Sequence, residues 1–156
     1  MSKDKELEKL TQQLQEQIME QARKVYTDEV IDRWLHPRNM GRLEQPEGYA
    51  KVTGSCGDTM EMFLKFQDEQ ITECTFLTDG CGATLACGSV ATETAKNKTF
   101  TEALASISAD VILKKLGGLP PENIHCAQLA SETLRRALAD YLYQKKSSWK
   151  KQFRKI

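Results

Sequence analysis

"MEMFLKFQDEQITECTFLT", residues 60–78, decides the fold class. Met60, Met62, Leu64 and Phe66 alternate with Glu61, Phe63 and Lys65, a period of two that a strand places on opposite faces. Asp68, Glu69 and Gln70 make the turn, and "ITECTFLT" returns with Cys74 and Phe76 on one face, so the two runs pair as an antiparallel hairpin. The preceding "YAKVT" (49–53) adds a third strand.

On both sides of this sheet the pattern turns helical. Leu7, Leu10, Leu14, Ile18 and Val25 mark a narrow apolar stripe on a polar helix. We expect that helix to pack on its own domain, with pairing between two copies, a homodimer, as the alternative. Thr27 caps a second helix with Asp28 and Glu29 in its first turn, stopped by Pro37 ahead of a turn at Gly41. Beyond Gly82, residues 83–96 read as a helix with Leu85, Ala86 and Val90 on one side. Thr99 and Glu102 have capping-box spacing, and Ser108 caps a helix that ends at Gly117 and Gly118. Leu129, Ala130, Thr133, Leu134, Ala137, Leu138 and Tyr141 line one face of a long final helix. The expected fold is α+β: a small antiparallel three-stranded sheet with helices packed on one face. Residues 1–25 form a helical extension, 26–143 the domain, and 144–156 a basic tail.

A chain of 156 residues, 40% hydrophobic, suffices for one core. Lys plus Arg and Asp plus Glu balance at 22 each, so no global charge argues for nucleic acid. The exception is "KKSSWKKQFRKI" at the end, with Lys145, Lys146, Lys150, Lys151, Arg154 and Lys155 and no acid, read as a frayed, solvated tail. No signal-like apolar segment and no membrane-length apolar run is present, which points to a soluble, cytoplasmic protein without a membrane role.

Five cysteines, an odd number, argue against a complete disulfide framework. Three stand at element boundaries: "GSCGD" at Cys56, "DGCGA" at Cys81 and "IHCAQ" at Cys126. Their glycines let backbone approach a bound ion, and Cys81 and Cys126 sit near helix starts, where the dipole favours thiolate. Separations of 25 and 45 residues argue against a local metal knuckle, and a site could still form if the fold gathers three loops. Asp58 or His125 would then complete three thiolates. Scattered structural cysteines are the competing reading from spacing alone.

"DRWLHPRNMG" (32–41), "GSCGDTMEM" (54–62), "TDGCGATLA" (78–86), "NKTFTEAL" (97–104) and "LPPENIHCAQLASETLRRALADY" (119–141), in this order, resemble the IscU and NifU amino-terminal family of iron–sulfur cluster assembly scaffolds. The resemblance spans residues 26–142, about three quarters of the chain. It implies that Cys56, Cys81 and Cys126 match the family's three essential cysteines, with Asp58 and His125 as its associated aspartate and histidine. It further implies a scaffold without turnover of its own that builds a [2Fe-2S] cluster and passes it to recipient apo-proteins. Sulfur would come as persulfide from a cysteine desulfurase of the IscS or NifS type, with Cys126 as acceptor, and zinc can occupy the same site in an isolated scaffold. The 45-residue interval and His125 point to the IscU type rather than the SufU branch.

Where that family commonly reads LPPVK, this chain has Leu119, Pro120, Pro121, Glu122 and Asn123, which weighs against handling by an Hsp70-type chaperone. Cys74 and Cys87 read as core hydrophobes and His36 as a surface residue. Two rival functions stay open at this point: a structural zinc–thiolate protein and a zinc-bound sulfurtransferase. Adjacent residues on a helix point about 100° apart, so His125 and Cys126 are not expected to pair as a hydrolase dyad.

Overall fold

A computed structural model describes residues 2–154. The β-hairpin forms as its alternation requires. Strand β2, Thr59–Gln67, pairs antiparallel with β3, Gln70–Thr78, and on its other edge with β1, Gly48–Thr53, giving the order β1-β2-β3. Asp68 and Glu69 make the turn with φ of 52° and 65°. A register shift at Lys65/Phe66 lets Phe66 pair with Ile71 and Lys65 with Glu73, so Ile71 and Cys74 both reach the core despite their odd separation. Strict alternation in the sequence hides this bulge.

Helices α1 (Ser2–Val25) and α2 (Asp28–Leu35) precede the sheet. After it come α3 (Gly82–Ala95), α4 (Phe100–Ser106), α5 (Ala109–Leu116), a 3-10 turn at Pro121–Asn123, and α6 (Ile124–Phe153). Thr27 and Ser108 cap α2 and α5, Thr99 and Glu102 form the capping box of α4, and Gly117 ends α5 with φ 73°. Met60, Met62, Leu64, Cys74 and Phe76 meet α3 and α6 on one sheet face, so the sheet is covered there. The open edge of β3 is closed by the loop after α2: Phe76 N–H donates to Asn39 O at 3.0 Å and Gly41 N–H to Phe76 O at 2.9 Å.

Three expectations fail. Helix α1 does not pack on its own domain: none of its residues is buried, and its apolar stripe faces outward. Helix α3 is not one-sided. It is buried almost all round, and Ser89, Thr92 and Thr94 satisfy their hydroxyls on the carbonyls of Leu85, Gly88 and Val90. The basic segment is not frayed, because α6 runs on to Phe153, with Lys145 over the Tyr141 ring and Trp149 beside Phe153. Lys155 lies outside the described residues.

Candidate metal and sulfur site

Three loops converge at one end of the sheet. The first joins β1 to β2, where Gly54 N–H donates to Asp58 O at 2.8 Å and Gly57 turns with φ 88°, a conformation that favours glycine. This leaves Cys56 exposed and aims Asp58 inward. The second is the entry to α3, with Cys81 exposed at its N-cap. The third is the start of α6, carrying His125 and the fully buried Cys126.

The five side chains meet as two overlapping triplets, Cys56–Asp58–His125 and Asp58–Cys81–Cys126, each with its ligand atoms within 4.8 Å of one another. Asp58 belongs to both. Cys126 Sγ also lies 3.7 Å from His125 Nε2, so the angular argument against their contact fails: the imidazole bends back over the sulfur. A hydrolase dyad still does not follow, because burial pushes the Cys126 thiol up instead of activating it.

At the centre stands a residue that sequence reasoning missed. Thr84 is fully buried, and its Oγ1 lies 3.2 Å from Asp58 Oδ2, 3.3 Å from Cys126 Sγ and 3.7 Å from Cys81 Sγ. It is the one buried hydroxyl of α3 that turns to the site rather than to its own helix. Nothing in an Ala- and Thr-rich helix marks it; only its place three residues after Cys81, one turn along, could have.

Gly82 has a different role from the one its place beside Cys81 suggests. A Cβ there would run into the Trp34 indole of α2, so this glycine serves packing of the Cys81 loop on α2.

The two thiols at helix starts diverge. Burial works to raise Cys81, yet the N–H and hydroxyl of Thr84 and the N–H of Ala83 together hold it below the ordinary thiol value. For Cys126 burial wins, reinforced by the nearby Cys81 and only partly offset by the Thr84 hydroxyl, so the expected lowering does not occur. Cys74 is pushed up to about 12 by burial, and Cys87 is also raised, by burial first. Both sit in the core as expected.

Brief alkylation of the metal-free chain should therefore label exposed Cys81 and Cys56 first, Cys126 slowly, and Cys74 and Cys87 only on unfolding. Because the fold favours the Cys81 thiolate, its rate should stay high above a midpoint lying below the ordinary thiol value, and fall as pH drops through that midpoint. Peptide mass spectrometry reads the order; faster labelling of Cys126 than of Cys81 would contradict it.

A family model described as NifU-like N terminal domain matches residues 25–148. The iron-sulfur cluster assembly scaffold protein IscU 1 of Archaeoglobus fulgidus is 44% identical over 118 residues, 75% of this chain and 76% of that protein. The IscU of Escherichia coli K12 is 40% identical over 121 residues, 74% of this chain and 93% of its own. Among solved structures, a scaffold protein described for the SUF system of Fervidobacterium islandicum AW-1 superposes with a TM-score of 0.61 at 22% identity, covering 72% of this chain and 96% of that one, a likeness of fold.

Proposed function

This chain belongs to the NifU-like N-terminal domain family, and on that premise we propose that it is an iron–sulfur cluster assembly scaffold. The observation that carries the reading for this molecule is the pair of ligand triplets sharing Asp58. A closed structural zinc takes four ligands, whereas five donors spread over two triplets suit a cargo with two metal positions. The cargo is a [2Fe-2S] cluster, held by Cys56, Cys81 and Cys126 with Asp58 and His125 as the weaker ligands. The scaffold unit is residues 26–143, flanked by the 1–25 helix and the basic 144–156 segment. No described helix is long and apolar enough to cross a membrane. The cytoplasm is the compartment we propose for this scaffold.

Sulfur comes from a cysteine desulfurase of the IscS or NifS type, an external electron donor of the thiol or ferredoxin class reduces each transferred sulfane sulfur by two electrons to sulfide, and the scaffold then gives the cluster to recipient apo-proteins without turnover of its own. In the transfer, a thiolate attacks the outer sulfur of the desulfurase persulfide and the desulfurase cysteine leaves as thiolate. Family resemblance assigns the acceptor role to Cys126. A second reading, in which sulfur lands first on Cys81, is favoured by the exposure and lowered pKa of that thiol beside a covered Cys126. Trapping after one round with the desulfurase, and locating the added sulfur by peptide mass spectrometry, separates the two.

The test of function is anaerobic incubation with ferrous iron, cysteine, a desulfurase and a thiol reductant, watching for the visible bands of a cluster and their transfer to an apo-ferredoxin. Zinc retained throughout, with no cluster formed, would overturn the proposal. Asp58→Ala should lengthen the lifetime of the bound cluster about ten-fold, since carboxylate is a harder and more exchangeable partner for cluster iron than thiolate. A shortened lifetime in an anaerobic transfer assay would count against Asp58 as the release ligand.

A further inference from the structure

Helix α1 stands away from the sheet, and none of its apolar side chains is buried by the described residues: Leu7 is 63% exposed, Leu14 51% and Ile18 61%. At about 100° per residue, Leu7, Leu10, Leu14, Ile18 and Val25 fall within a stripe roughly 80° wide. With Ala22 at its margin, the stripe steps by 3, 4, 4, 4 and 3 residues, a spacing that reads the same from either end. A two-fold axis near residue 16 therefore lays Leu7 on Val25 of a second copy, Leu10 on Ala22 and Leu14 on Ile18. Gln21, also in the stripe, would face Thr11.

The charges select the same direction. One flank of the stripe carries Glu6, Gln13, Gln17, Glu20 and Lys24, and the other carries Asp4, Glu8, Thr11, Gln15 and Ala22. In an antiparallel pair like flanks meet, bringing Glu6 to Lys24 and Glu20 to Gln13. In a parallel pair unlike flanks meet, and Glu6 would face Asp4 and Glu8. We propose that α1 is a self-recognition element through which two copies of this chain pair antiparallel, with the two ligand sites at opposite ends of the paired helices. A strip about 36 Å long and about 10–12 Å wide on each helix amounts to on the order of 800 Å² in total. That is below the roughly 1,200 Å² at which stable interfaces begin, so the dimer should be reversible and concentration-dependent.

Sedimentation velocity on the metal-free, reduced full chain tests this without iron or sulfur, so the outcome is separate from that of the scaffold reading. The mass should move from one chain to two as concentration rises from low to high micromolar. Leu14→Glu combined with Ile18→Glu should stay at one chain throughout, with helix content by circular dichroism unchanged, since glutamate is a good helix former. Glu6→Lys alone and Lys24→Glu alone should each weaken the dimer about two- to five-fold, and the two together should restore it. These positions are too far apart on one helix to meet, so restoration reports contact between chains. A single-chain mass at every concentration, or a dimer that survives the Leu14/Ile18 double change, overturns the proposal; failure of the charge exchange to restore overturns the antiparallel register.

Discussion

Cys81→Ser should remove cluster assembly while leaving the fold as stable as before, or more so. Cys81 is the N-cap of α3 and exposed; its thiol makes no side-chain capping bond there, and the N–H groups of Ala83 and Thr84 favour only its thiolate. Serine is among the preferred N-cap residues and can accept a bond from the first turn, a gain of about 0.5–1 kcal/mol, or roughly 1–4 °C in thermal midpoint. The same change deletes a thiolate from the Asp58–Cys81–Cys126 triplet. Changes in partners that merely support a metal ligand cost about 10- to 100-fold in affinity, so loss of a ligand should cost on the order of 100-fold or more. Visible absorbance after anaerobic reconstitution, read beside a thermal melt, measures both. Cluster formation within a few-fold of the parent would take Cys81 out of the ligand set. Cys126→Ser cannot separate the two effects, because Cys126 is fully buried against Thr84 and its loss disturbs packing as well.

That contrast also marks what the sequence could reveal. Strands, caps and C-terminal glycines were legible because each rests on neighbours a few residues away: Thr27 on Val30, Thr99 on Glu102, Ser108 on Val111. The residues gathered at the site were legible as motifs, although spacing alone left them scattered. Thr84 was not, since its importance comes from three partners on three elements. The different fates of Cys81 and Cys126 were equally hidden, because a helix start fixes the dipole but not the burial. For α1 the stripe was read correctly and its cover wrongly: periodicity says which face is apolar and nothing about what lies against it. Helix α3 did carry a signal of all-round burial, namely the absence of any charge from Gly82 to Thr92.

The placing of Cys81 and Thr84 depends on how closely α3 lies on the sheet, and Gly88→Ala should expose that dependence. A Cβ at Gly88 would sit 2.5 Å from Phe76 Cε2, 2.6 Å from Cδ2 and 2.9 Å from Cζ. The Phe76 ring is fully buried and belongs to a strand locked on both edges, by β2 and by the Asn39–Gly41 loop, so it has little room to give. Alanine in a helix interior ordinarily gains about 1 kcal/mol over glycine. Here an overpacking cost of about 1–3 kcal/mol should cancel that gain and leave a net loss of up to about 2 kcal/mol. Valine at the same position should cost more. Phe76→Leu is destabilising alone, but in the Gly88→Ala background it relieves the contact, so chemical denaturation of the four proteins should give a coupling energy of about 1 kcal/mol or more. If the Gly88→Ala chain folds, the shift of α3 should carry Thr84 away from Asp58 and Cys126 and lower cluster yield, with partial recovery in the double variant. Additive stabilities across the four proteins would mean that α3 is not held by this contact, and that the site takes its geometry from the α2 and α6 sides instead.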